Sequence, residues 1–271
     1  MNDAVSALGF FRGKSSGYVN NPKIANESAC SSKQNTVIFM SVSSFNDTKK
    51  QIIRSLLQNK YYEVVFGVDN KYKSSISEIK NNSDATLIVE LNYGSLVNEF
   101  GTKINNFNGK FEKNPAKLGA YAWFKDSKFS FMWYIEDDVF SKDWNEFLEP
   151  YADTNHDLIY NFEDKLPAWY FDNWKVGDKK HGIQLAHLYV HRISKYFVNS
   201  LIKTIKEEKS TSHHEIFIPY VKFNSKSSFI QLISKHTQYA CTNGDDKTNL
   251  GYSKEFIEKT DSNLFHPVKF L

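Results

Sequence analysis

The chain is poor in cysteine: its 271 residues hold two, Cys30 and Cys241. Two thiols are too few for a cysteine-ligated metal cluster or a disulfide framework, and they are read as reduced. Long apolar runs are missing too. No stretch approaches the ~20 residues that a membrane helix needs. Met1 to Lys14 has no continuous apolar segment of the kind a secretory leader carries. An excess of one charge is also absent, since 34 basic and 31 acidic residues leave a net +3. Dedicated nucleic-acid binders usually carry a strong basic excess, so no nucleic-acid partner is expected. These absences describe a soluble, cytoplasmic protein without a membrane span. Asn-x-Ser/Thr triplets at Asn26, Asn46 and Asn81 are then accidents of an Asn- and Lys-rich composition.

What is present is apolar material for a core. Hydrophobic residues make up 41% and aromatics 15%, enough for one large α/β domain. Residues 1–35 are polar and read as an irregular arm. Residues 36–271 show no repeat and no linker, and read as a single domain. Val37 to Val42 is a short apolar run, as in a buried strand. Asp47 is placed to cap the next helix, on which Ile52, Ile53, Leu56 and Leu57 share a face. Tyr62 to Val68, ending at Asp69, and Ala85 to Leu91 are further strand candidates. Strand and helix alternate here, which predicts βαβ units and a mainly parallel sheet flanked by helices. Lys117 to Phe124 is expected to be helical. Ser141 is read as the cap of a short helix carrying Trp144, Phe147 and Leu148. Asp157 to Asn161 and Gln184 to Val190 read as extended. Ser194 is placed to cap an amphipathic helix with Phe197, Val198, Leu201, Ile202 and Ile205 on one face.

The segment richest in chemistry is Phe131-Met-Trp-Tyr-Ile-Glu-Asp-Asp-Val139. An aromatic strand runs straight into three carboxylates. In open α/β sheets ligands bind outside the carboxyl ends of strands. Adjacent carboxylates repel one another there, and a divalent cation with a taste for oxygen, Mn²⁺ or Mg²⁺, relieves that repulsion. The plain alternative is a solvated acidic turn. This segment resembles the DxD motif of GT-A glycosyltransferases, in its Glu-Asp-Asp form. The resemblance implies a Rossmann-like GT-A fold, a nucleotide-sugar donor and a carbohydrate acceptor. It implies Asp138 as metal ligand, with Glu136 and Asp137 facing the sugar and ribose. Asp69, at a strand end, sits where such enzymes often meet the base or ribose, though turns commonly hold Asp. Lys117 resembles a basic residue that approaches the nucleotide, though lysines are mostly exposed. Asn263-Leu-Phe-His-Pro-Val-Lys269 resembles a C-terminal His-x-x-Lys segment of these families. In it His266 helps bind metal and Lys269 neutralises phosphate.

On the acceptor side, Thr211-Ser-His-His-Glu-Ile-Phe-Ile-Pro219 follows the amphipathic helix. Inverting glycosyl transfer needs a carboxylate to take the acceptor's proton, and Glu215 has the type and position for that base. A plain helix start with Glu near its positive end reads equally well. His213 and His214 lack the His-x-x-x-His spacing of a zinc site, and His214 is assigned to the acceptor. Trp169, Tyr170, Phe171 and Trp174 form an aromatic stretch suited to sugar faces or to core filling. Asp172, among them, is a second catalytic candidate. Two rivals stand beside the transferase. A metal-dependent nucleotidylyltransferase would usually show a Gly-rich basic loop after the first strand, where Ser43-Ser-Phe-Asn-Asp47 stands instead. A non-enzymatic carbohydrate-binding protein would use the aromatics without needing the acids.

Overall fold

The computed structural model describes residues 35–43, 45–69, 73–82, 87–91, 115–163, 184–208, 214–232, 237–239 and 252–268. Among them, seven strands form one sheet in the order β3-β2-β1-β4-β7-β6-β8. The strands are β1 (Thr36–Val42), β2 (Glu63–Asp69), β3 (Leu87–Leu91), β4 (Phe131–Glu136), β6 (Leu158–Glu163), β7 (Leu185–Ser194) and β8 (Phe229–Gln231). β1 lies parallel to both β2 and β4, and β2 lies parallel to β3. β7 runs antiparallel to β4 and β6, while β8 lies parallel to β6. A second, three-stranded sheet joins β5 (Phe140–Ser141), β10 (Leu264–His266) and β9 (Thr237–Tyr239).

The pattern of side chains explains this arrangement. Every residue of β1 is buried, as expected for a parallel strand covered on both faces. Alternate residues serve opposite cores. Val37, Phe39, Met132 and Tyr134 face one core, together with helices α3 (Pro115–Asp126), α5 (Lys195–Glu208) and α6 (His214–Ser225). Ile38, Met40, Trp133 and Ile135 face the other, under α1 (Asp47–Leu56), α2 (Lys73–Asn82), α4 (Trp144–Leu148) and α7 (Lys254–Lys259). The centre of the sheet tolerates little change. A Cβ at Gly67 would lie 2.3 Å from the Phe39 ring, so that ring occupies the space a side chain would need.

Two helix caps differ from the sequence expectation. Asn46, not Asp47, caps α1: its backbone is extended and its side chain accepts from Lys49 N at 2.9 Å. Asp47 lies inside the first turn, where its charge favours the helix dipole. Ser141 lies in β5 and its hydroxyl donates to Asn263, so α4 is capped by Asp143, which accepts from Asn145 N and Glu146 N. Ser194 does cap α5, its Oγ accepting from Phe197 N at 3.0 Å. No helix among the described residues is long and apolar enough to cross a membrane.

Candidate metal and donor site

β1 and β4 are the central neighbours at which the strand order turns from β3-β2-β1 to β4-β7. Crevices at such switch points are where open α/β sheets hold ligands. The acidic triplet sits at this point, because β4 ends at Glu136 and pairs Glu136 with Ser41 of β1. The three carboxylates then part ways.

Glu136 keeps the strand's alternation and falls on the face of Met132 and Tyr134, which α3 covers. There Lys117 meets it. The Lys117 side chain is fully buried, with Nζ 3.0 Å from Glu136 Oε1 and donating to Leu188 O at 3.0 Å. The amine also lies 5.1 Å from the centre of the Tyr134 ring. Asp137 turns toward β1. Its Oδ2 accepts from Ser43 N at 2.7 Å and from Ser43 Oγ at 2.9 Å, and its Oδ1 accepts from Lys49 Nζ. Asp138 faces the C-terminal segment, where its Oδ1 lies 3.3 Å from His266 Nε2.

His266 reaches the site through the small sheet. Leu264 pairs with Ser141 and Phe265 with Phe140, just beyond the acidic turn. Val268 N donates to Asp138 O at 2.9 Å. The Tyr189 ring of β7 stacks on the imidazole, 3.5 Å between centroids and 18° between planes. One ligand atom each from Glu136, Asp138 and His266 falls within 4.8 Å of the others. Asp138 Oδ1 is shielded from solvent and accepts no well-formed hydrogen bond. Burial pushes this carboxyl up, but His266 and Lys49 outweigh burial and hold it below the usual carboxylate range. Such a set of two carboxylates and an imidazole suits a divalent cation.

Glu215 lies in the first turn of α6. Burial pushes its carboxyl up to about 7; Lys117 lowers it and Glu136 raises it further. His214 opens the same helix and is buried. Pro219, four residues on, has no N–H to offer the Glu215 carbonyl.

Asp69 ends β2, next to β1 in the sheet. Trp169, Asp172, Trp174, His213 and Lys269 lie outside the described residues, as do Cys30 and Cys241. Sequence reading passed over Lys49, Ser43 and Tyr189. Lys49 follows a strand and opens a helix, a signal available without a structure. The roles of Ser43 and Tyr189 depend on pairing across the sheet.

No protein-family model matches the chain, and no curated protein matches it. Among solved structures it is similar to mouse xyloside xylosyltransferase 1 in its apo form, with a TM-score of 0.50 and 11% identity over 76% of this chain and 88% of that one. It is also similar to 4-diphosphocytidyl-2C-methyl-D-erythritolsynthase from Anaerococcus prevotii, at a TM-score of 0.45 and 6% identity over 74% and 88%. The second score is too low to carry an argument, and the first speaks for fold alone. On topology and that likeness, the chain has the GT-A fold, a mixed and mainly parallel α/β sheet flanked by helices.

Proposed function

We propose that the chain is a divalent-cation-dependent glycosyltransferase, moving a sugar from a UDP- or GDP-linked donor to a hydroxyl of a carbohydrate acceptor. One observation carries this reading. Residues 136 and 138 and residue 266, distant in sequence, bring two carboxylates and an imidazole together at the switch point of a GT-A sheet.

The residues fit a small cation. Ligand atoms at right angles about 2.1 Å from a metal lie about 3 Å apart. His266 Nε2 stands 3.3 Å from Asp138 Oδ1 and 3.9 Å from Glu136 Oε2. Mn²⁺ or Mg²⁺ bound there would offset the charge of a leaving diphosphate. The protein supplies the rest. Asp69 and Asp137 line the donor side, and Lys269 adds positive charge near the phosphates. Trp169, Trp174 and His214 serve the acceptor. Glu215 accepts the proton of the acceptor hydroxyl while its oxygen bonds to the anomeric carbon. The bond from that carbon to the diphosphate oxygen breaks, and the electron pair leaves with the nucleotide. A carboxyl pushed up to about 7 is a base matched to neutral pH. Asp172 is the reserve candidate for that base.

The test is a panel of nucleotides and nucleotide sugars, read by thermal stabilisation with Mn²⁺ and with EDTA. A ligand at ~100 times its Kd stabilises by roughly 2.7 kcal/mol. Stabilisation by UDP or GDP should require the cation. Equal affinity with and without EDTA would overturn the metal bridge.

A further inference from the structure

We propose that buried Lys117 fixes Glu136 as a one-oxygen ligand, and thereby makes the site select small octahedral cations, Mn²⁺ and Mg²⁺, over Ca²⁺. The inference rests on the metal site proposed above and concerns how that site chooses its ion.

The two oxygens of Glu136 have different surroundings. Oε1 is held by Lys117 Nζ at 3.0 Å, while Oε2 faces His266 Nε2 at 3.9 Å. The amine cannot swing away easily. It has no exposed surface, it donates to Leu188 O at 3.0 Å, and it lies against the Tyr134 ring. Leu188 O also meets His191 Nδ1 at 3.1 Å, and the far nitrogen of that imidazole meets Tyr121 Oη at 2.7 Å. Burial and then Lys117 hold His191 well below the usual imidazole range. The ring is therefore neutral, with Nδ1–H donating to Leu188 and Tyr121 donating to Nε2. One ordered chain thus runs from α3 through β7 to Oε1.

The next residue of β7, Tyr189, stacks on His266. Successive residues of one strand therefore steady two of the three ligands. Glu136 Oε2, Asp138 Oδ1 and His266 Nε2 are the three protein atoms that would hold the cation. Mg²⁺ demands near-ideal octahedral geometry, whereas Ca²⁺ takes six to eight oxygens and uses bidentate carboxylates. A glutamate whose second oxygen belongs to a buried ammonium cannot supply that extra contact. Lys117 is thus a positioning residue, seated behind the carboxylate.

The experiment titrates Mn²⁺ and Ca²⁺ into the full chain by calorimetry, for wild type, Lys117→Met and Lys117→Arg. Losing a cation raises affinity for both doubly charged ions alike, so the ratio of the two dissociation constants isolates geometry. Removing a partner of a metal ligand typically changes affinity by 10–100-fold, so Lys117→Met should move the ratio toward Ca²⁺ by about tenfold. Lys117→Arg keeps a donor on Oε1 and should restore the wild-type ratio. Should either variant fail to fold, the carboxylate stretches of wild type on binding Ca²⁺, minus those of Glu136→Gln, decide the matter. A one-oxygen ligand widens the splitting between the stretches, and a bidentate one narrows it. An unchanged ratio in Lys117→Met, or a narrowed splitting, overturns the inference. Wild type that binds neither ion overturns the metal site itself.

Discussion

Three cations are buried among the described residues, and two of them, Lys117 and Arg192, do different things. Lys117 and Arg192 are both fully buried. Lys117 stands near the carboxyl end of β4, against Glu136. Arg192 pairs with Trp133 in the middle of that strand. Its guanidinium donates to the carbonyls of Tyr151, Thr154 and His156 and stacks over the Phe131 ring. Burial lowers it to about 10, still charged at neutral pH. Among the described residues Arg192 has no carboxylate in salt-bridge contact. A buried cation satisfied by carbonyls staples a turn. A buried cation satisfied by a carboxylate at a strand end orders a site. The sheet thus divides along β4 into a part that keeps the chain folded and a part that handles charge.

The largest contrast should appear in activity. Asp138→Ala is expected to lower turnover to background, because it removes a ligand atom and not packing. Thermal unfolding should hardly move. Turnover near the wild-type rate would show that the carboxyl end of β4 is no active centre. Next, Glu215→Gln should cut kcat by roughly 10²–10⁴-fold with donor binding nearly unchanged, the usual contribution of a general base. The wild-type rate should rise with pH through about 7 as Glu215 loses its proton, and the variant should lose that limb. A rate within threefold of wild type would move the base to Asp172, Asp245 or Asp246.

On the other side of the comparison, Arg192→Met should cost about 3–5 kcal/mol of stability by leaving three carbonyls without their shared donor. Mn²⁺ affinity in the folded fraction should stay as in wild type. Chemical denaturation and metal titration on the same preparation separate the two effects. A loss of metal affinity matching the loss of stability would erase the distinction between the two cations.

Much of this was legible in the sequence, for local reasons. β1 is a mostly apolar run, and Ser194 caps α5 from the adjacent position. The aromatic strand before Glu136-Asp137-Asp138 announces both a sheet and its carboxyl end. The cap shifts from Asp47 to Asn46 and from Ser141 to Asp143 turn on one or two residues of backbone geometry, below what composition resolves. Placing His266 beside Asp138 needs β10 to pair with β5, across more than a hundred residues and over two-residue contacts. No periodicity marks so short a strand. The resemblance of the C-terminal segment, and not periodicity, is what set His266 with Asp138 at the metal. The burial of Lys117 was hidden, because a lysine in an amphipathic stretch looks solvent-facing until β4 and β7 close over it.

The smallest effect follows from the charge that Glu215 carries into the fold. Its pKa rises from 4.5 to about 7, with burial the main cause and Glu136 adding to it. Below about pH 4.5 the folded and unfolded chains both hold this proton, and the group costs nothing. Between 4.5 and 7 the unfolded chain releases the proton while the folded chain keeps it, so stability falls as pH rises. Well above 7 the penalty is complete, on the order of 3 kcal/mol. Glu215→Gln carries no charge at any pH and removes this slope. The variant should match wild type near pH 4.5 and exceed it by that amount near pH 8 in EDTA. A cation at Glu136 offsets the carboxylate that raises Glu215, so adding Mn²⁺ should shrink the difference. Unfolding curves of both proteins from pH 4.5 to 8.5, with EDTA and with Mn²⁺, measure it. A difference that stays constant across this range would mean that Glu215 ionises as freely in the fold as in the unfolded chain, and the charge-handling end of β4 would then stop at Glu136.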